Sequence, residues 1–320
     1  MSQHFLLSPA AKSLKLASVL RMSDDEARAV FRKIRWADTD GEPVCPKCGC
    51  VEAYEITTRK IFKCKGCLAQ FSLTAGTIFA SRKMEVRNIL AAIAIFVNGA
   101  KGYGALQLSR DLGCDYKTAF VLCHKMREAI GLASDKSILE GTVELDGAYF
   151  GGYVKPANKK TDRKDRRLAE QQTGKRQVVI AMRERAGRTR AFVVKAERDG
   201  VALATANITP NSTVHADEAA HWDVLSARFD IKRINHGVAY SLDGACTNSA
   251  ESFFSRLRRA ETGIHHHIAG PYLNAYASEM AWREDFRRTS NGAQFAMIAD
   301  AAMAAPVSKA WRGYWQRKRV

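Results

Sequence analysis

The chain has 320 residues, too many for one small domain and enough for a core domain with one or two smaller modules. Lys and Arg total 50 against 33 Asp and Glu, and the formal charge of +17 points to nucleic acid as partner, since basic groups set on phosphates release condensed counterions; a solvated basic surface is the alternative. The 46% hydrophobic content supports a sizeable core, no apolar run reaches the roughly 18 residues of a membrane span, and no secretory signal pattern is present. A cytoplasmic protein with no membrane partner is expected, whose eight cysteines serve as metal ligands or free thiols.

The first helix is expected from Ser23, where Ser23 and Glu26 have capping-box spacing and Ala27, Val30, Phe31 and Ile34 recur at helical intervals. Arg28, Arg32, Lys33 and Arg35 around it read as a solvated face in preference to a DNA-facing one. Cys45-Pro-Lys-Cys48 and Cys64-Lys-Gly-Cys67 follow, separated by the 15 residues 49–63, with short strands expected over 51–56 and 60–63. Two such pairs set four thiolates at the corners of a tetrahedron, the geometry of a structural Zn²⁺. So short a segment cannot fold on its own core, so metal binding supplies much of its folding free energy. Cys50 is spare, and Cys114, Cys123 and Cys246 read as buried apolar residues. A long helix is expected over 86–98, then two short ones over 105–113 and 116–127 around a turn at Cys114-Asp115. The pair has the form of a helix-turn-helix, whose second helix would present Tyr116, Lys117 and Thr118 to the major groove. A plain helical hairpin has the same pattern; the neighbouring zinc unit and the charge favour DNA.

From Gly141 the apolar period changes to two. Residues 142–152 alternate, with Val143 and Leu145 on one face and Glu144 and Asp146 on the other, and end at a Gly pair. Residues 155–176 are basic without apolar period and read as a phosphate-backbone contact or a solvated loop. A hairpin is expected from 177–182 and 189–195, a short helix over 202–206, and a second acid-ending strand over 212–217. Helices are expected over 247–261, 270–287 and 294–304, and the tail 311–319 interleaves aromatic and basic residues, suiting either nucleic-acid contact or an aromatic anchor. Strand with acid, hairpin, strand with acid, then helices is the order of an RNase H-like sheet.

A two-metal phosphoryl-transfer site needs hard oxygen ligands from separate parts of the chain, converging on two Mg²⁺ ions about 4 Å apart. Asp146 and Asp217 are the strand candidates. Asn248 and Glu251 lie three apart on the next helix and share a face; Glu251 is the better ligand, Asn248 could orient a ligand or water, and Arg258, two turns beyond Glu251, is placed to touch DNA. Glu144 and Glu218 are substitutes beside the two aspartates. His215 and His236 suit a phosphate hydrogen bond or a buried histidine, and the run centred on His266 suits a phosphate or DNA contact, since Mg²⁺ prefers oxygen.

In this order the motifs resemble insertion-sequence transposases of the DDE superfamily, in the group with a zinc ribbon ahead of an RNase H-like catalytic domain. The resemblance covers roughly residues 20–290. It rests on the cysteine pairs with the segment 71–79, on 143–152, His215-Ala-Asp217, Asn235-His236 and 247–258, and on the later pattern Tyr272-Leu-Asn-Ala-Tyr276, Glu279 and Trp282-Arg283. The fold expected is multidomain α/β: an N-terminal helical segment over 1–40, a zinc ribbon over 41–80, a helix-turn-helix-like DNA-binding segment over 81–135, an RNase H-like mixed-sheet catalytic domain with C-terminal helices over 136–290, and a C-terminal helix with a basic tail over 291–320. The resemblance implies that Asp146 and Asp217 are the first two catalytic acids, with Asn248 or Glu251 as the third residue and Mg²⁺ or Mn²⁺ as cofactor. Arg258 stands where the family often has Lys. The implied reaction is hydrolysis at the element's ends followed by attack of the freed 3′-hydroxyl on target DNA. The partners implied are double-stranded DNA bearing terminal inverted repeats, target DNA, and further copies of the chain. An RNase H-like nuclease without strand transfer and a DNA-binding regulator with an inert sheet are the alternatives.

Overall fold

Ser23 and Glu26 cap the first long helix reciprocally, the Glu26 carboxylate accepting from the Ser23 N–H at 2.7 Å and the Ser23 hydroxyl accepting from the Glu26 N–H. The helix therefore starts where the spacing predicts. The computed structural model describes residues 4–151, 156–164, 171, 174–185, 187–234 and 246–316. The chain divides into two units, one of residues up to 134 and from 286 onward, the other Asp135–Asp285.

The first unit opens with α1 (Leu16–Leu20) and α2 (Asp24–Arg35) and continues into a three-stranded antiparallel ribbon of β1 (Ala53–Ile56), β2 (Ile61–Cys64) and β3 (Gln70–Ser72). Trp36 meets Phe62 and Phe71 with ring centroids 5.5 and 6.5 Å away, which gives the ribbon a small aromatic core. Arg28 and Arg32 pair with Glu55 at 3.5 and 3.2 Å, while Arg35 lies over Trp36 and donates to the carbonyls of Leu73 and Ala75. These three arginines are thus tied to the ribbon, not solvated as the sequence suggested. A short ribbon leaves carbonyls and a carboxylate that a guanidinium fork can satisfy. Next come α3 (Val86–Asn98), apolar all round and buried along most of its length, α4 (Ala105–Asp111) and α5 (Tyr116–Ala133). The turn between α4 and α5 passes through Gly113 at a φ of +61°, a left-handed conformation that favours glycine.

The second unit is built on a mixed sheet of β4 (Thr142–Gly151), β5 (Arg176–Glu184), β6 (Thr189–Val194), β7 (Thr213–Asp217) and β8 (Asp230–Ile234), in the order β6-β5-β4-β7-β8. β5 is antiparallel to both of its neighbours, β4 and β6, whereas β7 and β8 run parallel to β4. This is the RNase H-like arrangement expected from the order of strands and acids. β8 was not foreseen: it is an edge strand with three charged residues in five, so it shows almost no apolar run. α6 (Gly200–Asn207) joins β6 to β7, and α7 (Asn248–Ala260) and α8 (Leu273–Asp285) follow β8.

Both faces of this sheet are covered. Val143, Leu145, Ile180, Met182, Val214 and Trp222 form the core on one face. Ala148, Phe150, Val179 and Ala181 meet Phe253, Leu257 and Met280 of α7 and α8 on the other. Glu144 and Asp146 have the parity of Ala148 and Phe150, so both carboxylates project toward the helical layer instead of bulk water.

The chain then returns to the first unit with α9 (Asn291–Ala304), whose Asn291 side chain brackets Leu14, accepting from its N–H at 2.8 Å and donating to its carbonyl at 3.0 Å. In the tail, Trp311 stacks on His124 of α5 at 4.2 Å, and Trp311, Tyr314 and Trp315 surround Phe120. Of the two uses suggested for the tail, its described part takes the aromatic anchor; residues 317–320 lie outside the described residues. Among the described residues no helix is long and apolar enough to cross a membrane.

Candidate active site and zinc centre

β4 and β7 lie side by side and parallel, with Val143 opposite Val214 and Leu145 opposite Ala216. One residue further along both strands stand Asp146 and Asp217, so register alone brings the two carboxylates together at the end of β7. The Asp146 carboxylate accepts from the Gly147 N–H at 2.7 Å and Asp217 accepts from the Ala219 N–H at 3.2 Å, which orients each of them. A third carboxylate joins them: Glu197, in the turn between β6 and α6, and the three offer oxygens within 4.8 Å of one another.

Burial pushes Asp146 up to about 7; the Gly147 N–H opposes this, and the charges of Asp217, Glu197 and Glu251 add to it. Glu197 is pushed up to about 6, by burial and then by Asp217. Three carboxylates this close, two of them desolvated, have the chemistry of a divalent-cation site, and an all-oxygen set fits Mg²⁺ or Mn²⁺ better than zinc. The residues present therefore fit a hard metal ion.

Glu144, a substitute for Asp146 on pattern alone, has a different position. It is buried, and its Oε2 accepts from the N–H groups of Ser249 and Ala250 at 2.7 and 3.1 Å, at the unsatisfied N-terminus of α7. Its Oε1 lies 3.4 Å from Arg185 Nε. Glu144 thus fixes the start of the helix that carries Asn248 and Glu251. Those two share a face of α7 with Ser255 and Arg258, opposite the buried Phe253 and Leu257. Glu251 lies outside the 4.8 Å group, although its charge acts on Asp146. Arg258 is exposed, its guanidinium 5.7 Å from the centroid of Phe150.

His215 is buried; its Nδ1 accepts from the Cys246 N–H at 3.0 Å and lies 3.1 Å from Arg185 Nη2, so it is a packed histidine. Glu218 is exposed and outside the carboxylate group. His266 is exposed at a left-handed turn with a φ of +58°. His236 lies outside the described residues, as does much of the basic insertion 155–176. Tyr116 and Lys117 are exposed at the first turn of α5; the Lys117 carbonyl accepts from Trp315 Nε1 at 3.3 Å, and its ammonium lies 5.5 Å from the Trp315 ring.

In the ribbon, the sulfurs of Cys45, Cys48, Cys64 and Cys67 lie within 4.8 Å of one another, with Cys45 to Cys67 at 3.7 Å and Cys48 to Cys64 at 3.6 Å. Four thiolates about 2.3 Å from a central Zn²⁺ are separated by about 3.8 Å, so the geometry fits the metal. The Cys67 N–H points at Cys64 Sγ from 3.4 Å, as a thiolate ligand requires. Cys50 stays outside, its sulfur 3.6 Å from the Glu52 carbonyl.

Glu197 escaped the sequence analysis because it sits in a charged turn, Ala196-Glu-Arg-Asp199, without periodicity or motif. The available signal was Gly147, a glycine inside a strand and next to Asp146, which marks close approach by another group.

Comparison with known proteins finds a family for each of the two regions. Residues 22–70 match the transposase zinc-ribbon domain family, and residues 138–285 match the ISXO2-like transposase domain family. An uncharacterized protein in transposable element ISH50 of Halobacterium salinarum is 22% identical over 292 residues, covering 83% of this chain and 93% of that protein. Among solved structures, the Mos1 strand transfer complex aligns over 67% of this chain and 78% of its own, at 12% identity and a TM-score of 0.30.

Proposed function

We propose that this chain, which carries the zinc-ribbon and DDE-type domains of an insertion-sequence transposase, binds the terminal inverted repeats of its element, cleaves at the element's ends and joins the 3′-hydroxyls to target DNA. The observation that carries this function is the pairing of Asp146 and Asp217 one step beyond the parallel register of β4 and β7. When bound there, divalent metal lowers the pKa of the attacking water or 3′-hydroxyl and stabilises the leaving oxygen. Asp146 and Asp217 hold the metal, each oriented by a backbone N–H. Glu251 is the third catalytic residue, acting from α7, and Asn248 one turn earlier orients a ligand or water. Arg258, exposed on the same face, contacts a phosphate with a guanidinium fork that Lys would not offer. Hydrolysis and joining are both in-line displacements at phosphorus, so one constellation serves both.

The zinc ribbon and the α4–α5 pair recognise the element's ends, with Tyr116 and Lys117 toward the duplex and His236 and His266 toward phosphate. A dimer or larger assembly holds the two ends together, in the cytoplasm and on the nucleoid. The test is a labelled duplex carrying the element's ends with Mg²⁺, incubated with wild type and with Asp146→Ala, Asp217→Ala, Asn248→Ala and Glu251→Ala. Nicking and joining lost in both aspartate variants and in Glu251→Ala is the expected result. Ends cut but never joined would make the protein a nuclease, and specific binding without cleavage by the wild type would make it a regulator.

A further inference from the structure

We infer that Glu197 is a direct carboxylate ligand of the catalytic metal, delivered from the opposite core of the sheet, and that Gly147 is glycine to let it through. The inference rests on the metal-dependent chemistry proposed above and adds a ligand that no strand or helix motif supplies.

Glu197 lies at the start of a short 3₁₀ turn, Glu197–Asp199, whose entry is fixed by the Ala196 N–H donating to Asp199 Oδ2 at 3.1 Å. From there its side chain lies over the backbone of β4 at Gly147. A methyl group built on Gly147 would sit 2.5 Å from Glu197 Oε1 and 2.8 Å from its Cδ and Cγ. No real side chain tolerates such contacts, so even alanine at 147 would displace the carboxylate. The requirement is one of space alone, because Gly147 is not among the residues with positive φ and its strand backbone accepts an L side chain.

Parity makes the approach specific. Gly147 shares the strand face of Val143 and Leu145, whereas Asp146 points to the other face. The two aspartates reach the metal from the α7 side, and Glu197 reaches it across the gap left by Gly147, ending within 4.8 Å of both. Ligands converging from two sides of a strand enclose a cation more fully than two neighbouring side chains on one side. A half-buried glutamate threaded past a missing Cβ toward two other acids meets no cationic side chain among the described residues, and a shared cation is the partner that offsets its desolvation.

The experiment uses the zinc-loaded full-length chain and Mn²⁺ as the probe. Mn²⁺ binding is measured by calorimetry and by electron paramagnetic resonance, without DNA, for wild type, Asp146→Asn, Glu197→Gln, Gly147→Ala and the double variant Gly147→Ala/Glu197→Ala, with Tm and end cleavage alongside. Loss of a partner behind a metal ligand already weakens binding roughly ten-fold or more, so Glu197→Gln should weaken Mn²⁺ at least that much with Tm preserved. Gly147→Ala, which removes no carboxylate, should weaken Mn²⁺ and lower Tm, and the double variant should regain the Tm because the clash is gone. Mn²⁺ affinity in Glu197→Gln and Gly147→Ala equal to wild type, while Asp146→Asn loses it, would overturn the inference and leave the proposed function intact. Equal Mn²⁺ affinity in all variants including Asp146→Asn would remove the proposed metal site itself.

Discussion

Replacing Glu144 by alanine should cripple end cleavage although Glu144 touches neither metal nor DNA. The carboxylate is buried and receives two N–H groups at the start of α7, at 2.7 and 3.1 Å, with Arg185 alongside at 3.4 Å. Hydrogen bonds to a charged group contribute about 1.5–3 kcal/mol each, and removing a buried partner strands the donors that remain. Two such bonds put the loss for Glu144→Ala at about 3–6 kcal/mol. For a unit the size of Asp135–Asp285, each kcal/mol lowers Tm by about 2–4 °C, so a fall on the order of 10 °C is expected. Glu144→Gln keeps an oxygen for the two N–H groups but no charge, and should cost roughly half as much. The functional loss should exceed the fraction unfolded, because the freed first turn of α7 carries Asn248 and Glu251. Thermal melts, with end cleavage then assayed below both midpoints, separate the two effects. Mn²⁺ affinity should change less than cleavage, since Asp146, Glu197 and Asp217 lie off the helix. A Glu144→Ala protein melting within about 2 °C of wild type and cleaving normally would refute the anchoring role.

Stripping zinc with a chelator, or Cys64→Ser, should unfold the ribbon and abolish specific end binding, because structural zinc supplies about 10–16 kcal/mol that three short strands cannot replace; circular dichroism and a binding titration check it. Asp285 is pushed up to about 6 by burial, against the Thr189 N–H at 3.1 Å and the nearby arginines. A carboxylate raised in the fold favours the folded state below its unfolded pKa, and that contribution fades as pH rises through about 6. The stability of Asp285→Asn relative to wild type should therefore improve by about 2–2.5 kcal/mol between pH 4 and pH 7.5, read from denaturant melts; a pH-independent difference would contradict it. Trp311→Ala should lower the stability of the first unit by about 1.5–3 kcal/mol through lost packing on His124 and Phe120, read from denaturant melts without DNA; a variant as stable as wild type would return the tail to a nucleic-acid role.

Some features are written locally in the chain and need no fold to be seen. Four cysteines in two paired spacings specify a tetrahedral metal site because ligands within one turn cannot avoid each other, and Ser23 with Glu26 specifies a helix start for the same reason. Strand alternation placed Glu144 and Asp146 on one face, and the order of strands and acids gave the sheet. Alternation states which face a residue takes but not what covers it. Only the tertiary structure separated Glu144, which meets the N-terminus of α7, from Asp146, which meets Asp217 across the β4–β7 register. It likewise joined Glu197 to the site, tied α2's arginines to the ribbon and laid the tail on α5, since contacts between segments far apart in sequence leave no period or spacing behind. The sequence by itself determined the chemistry available and the elements that carry it. The packing of those elements decided which acids converge and which one holds a helix in place.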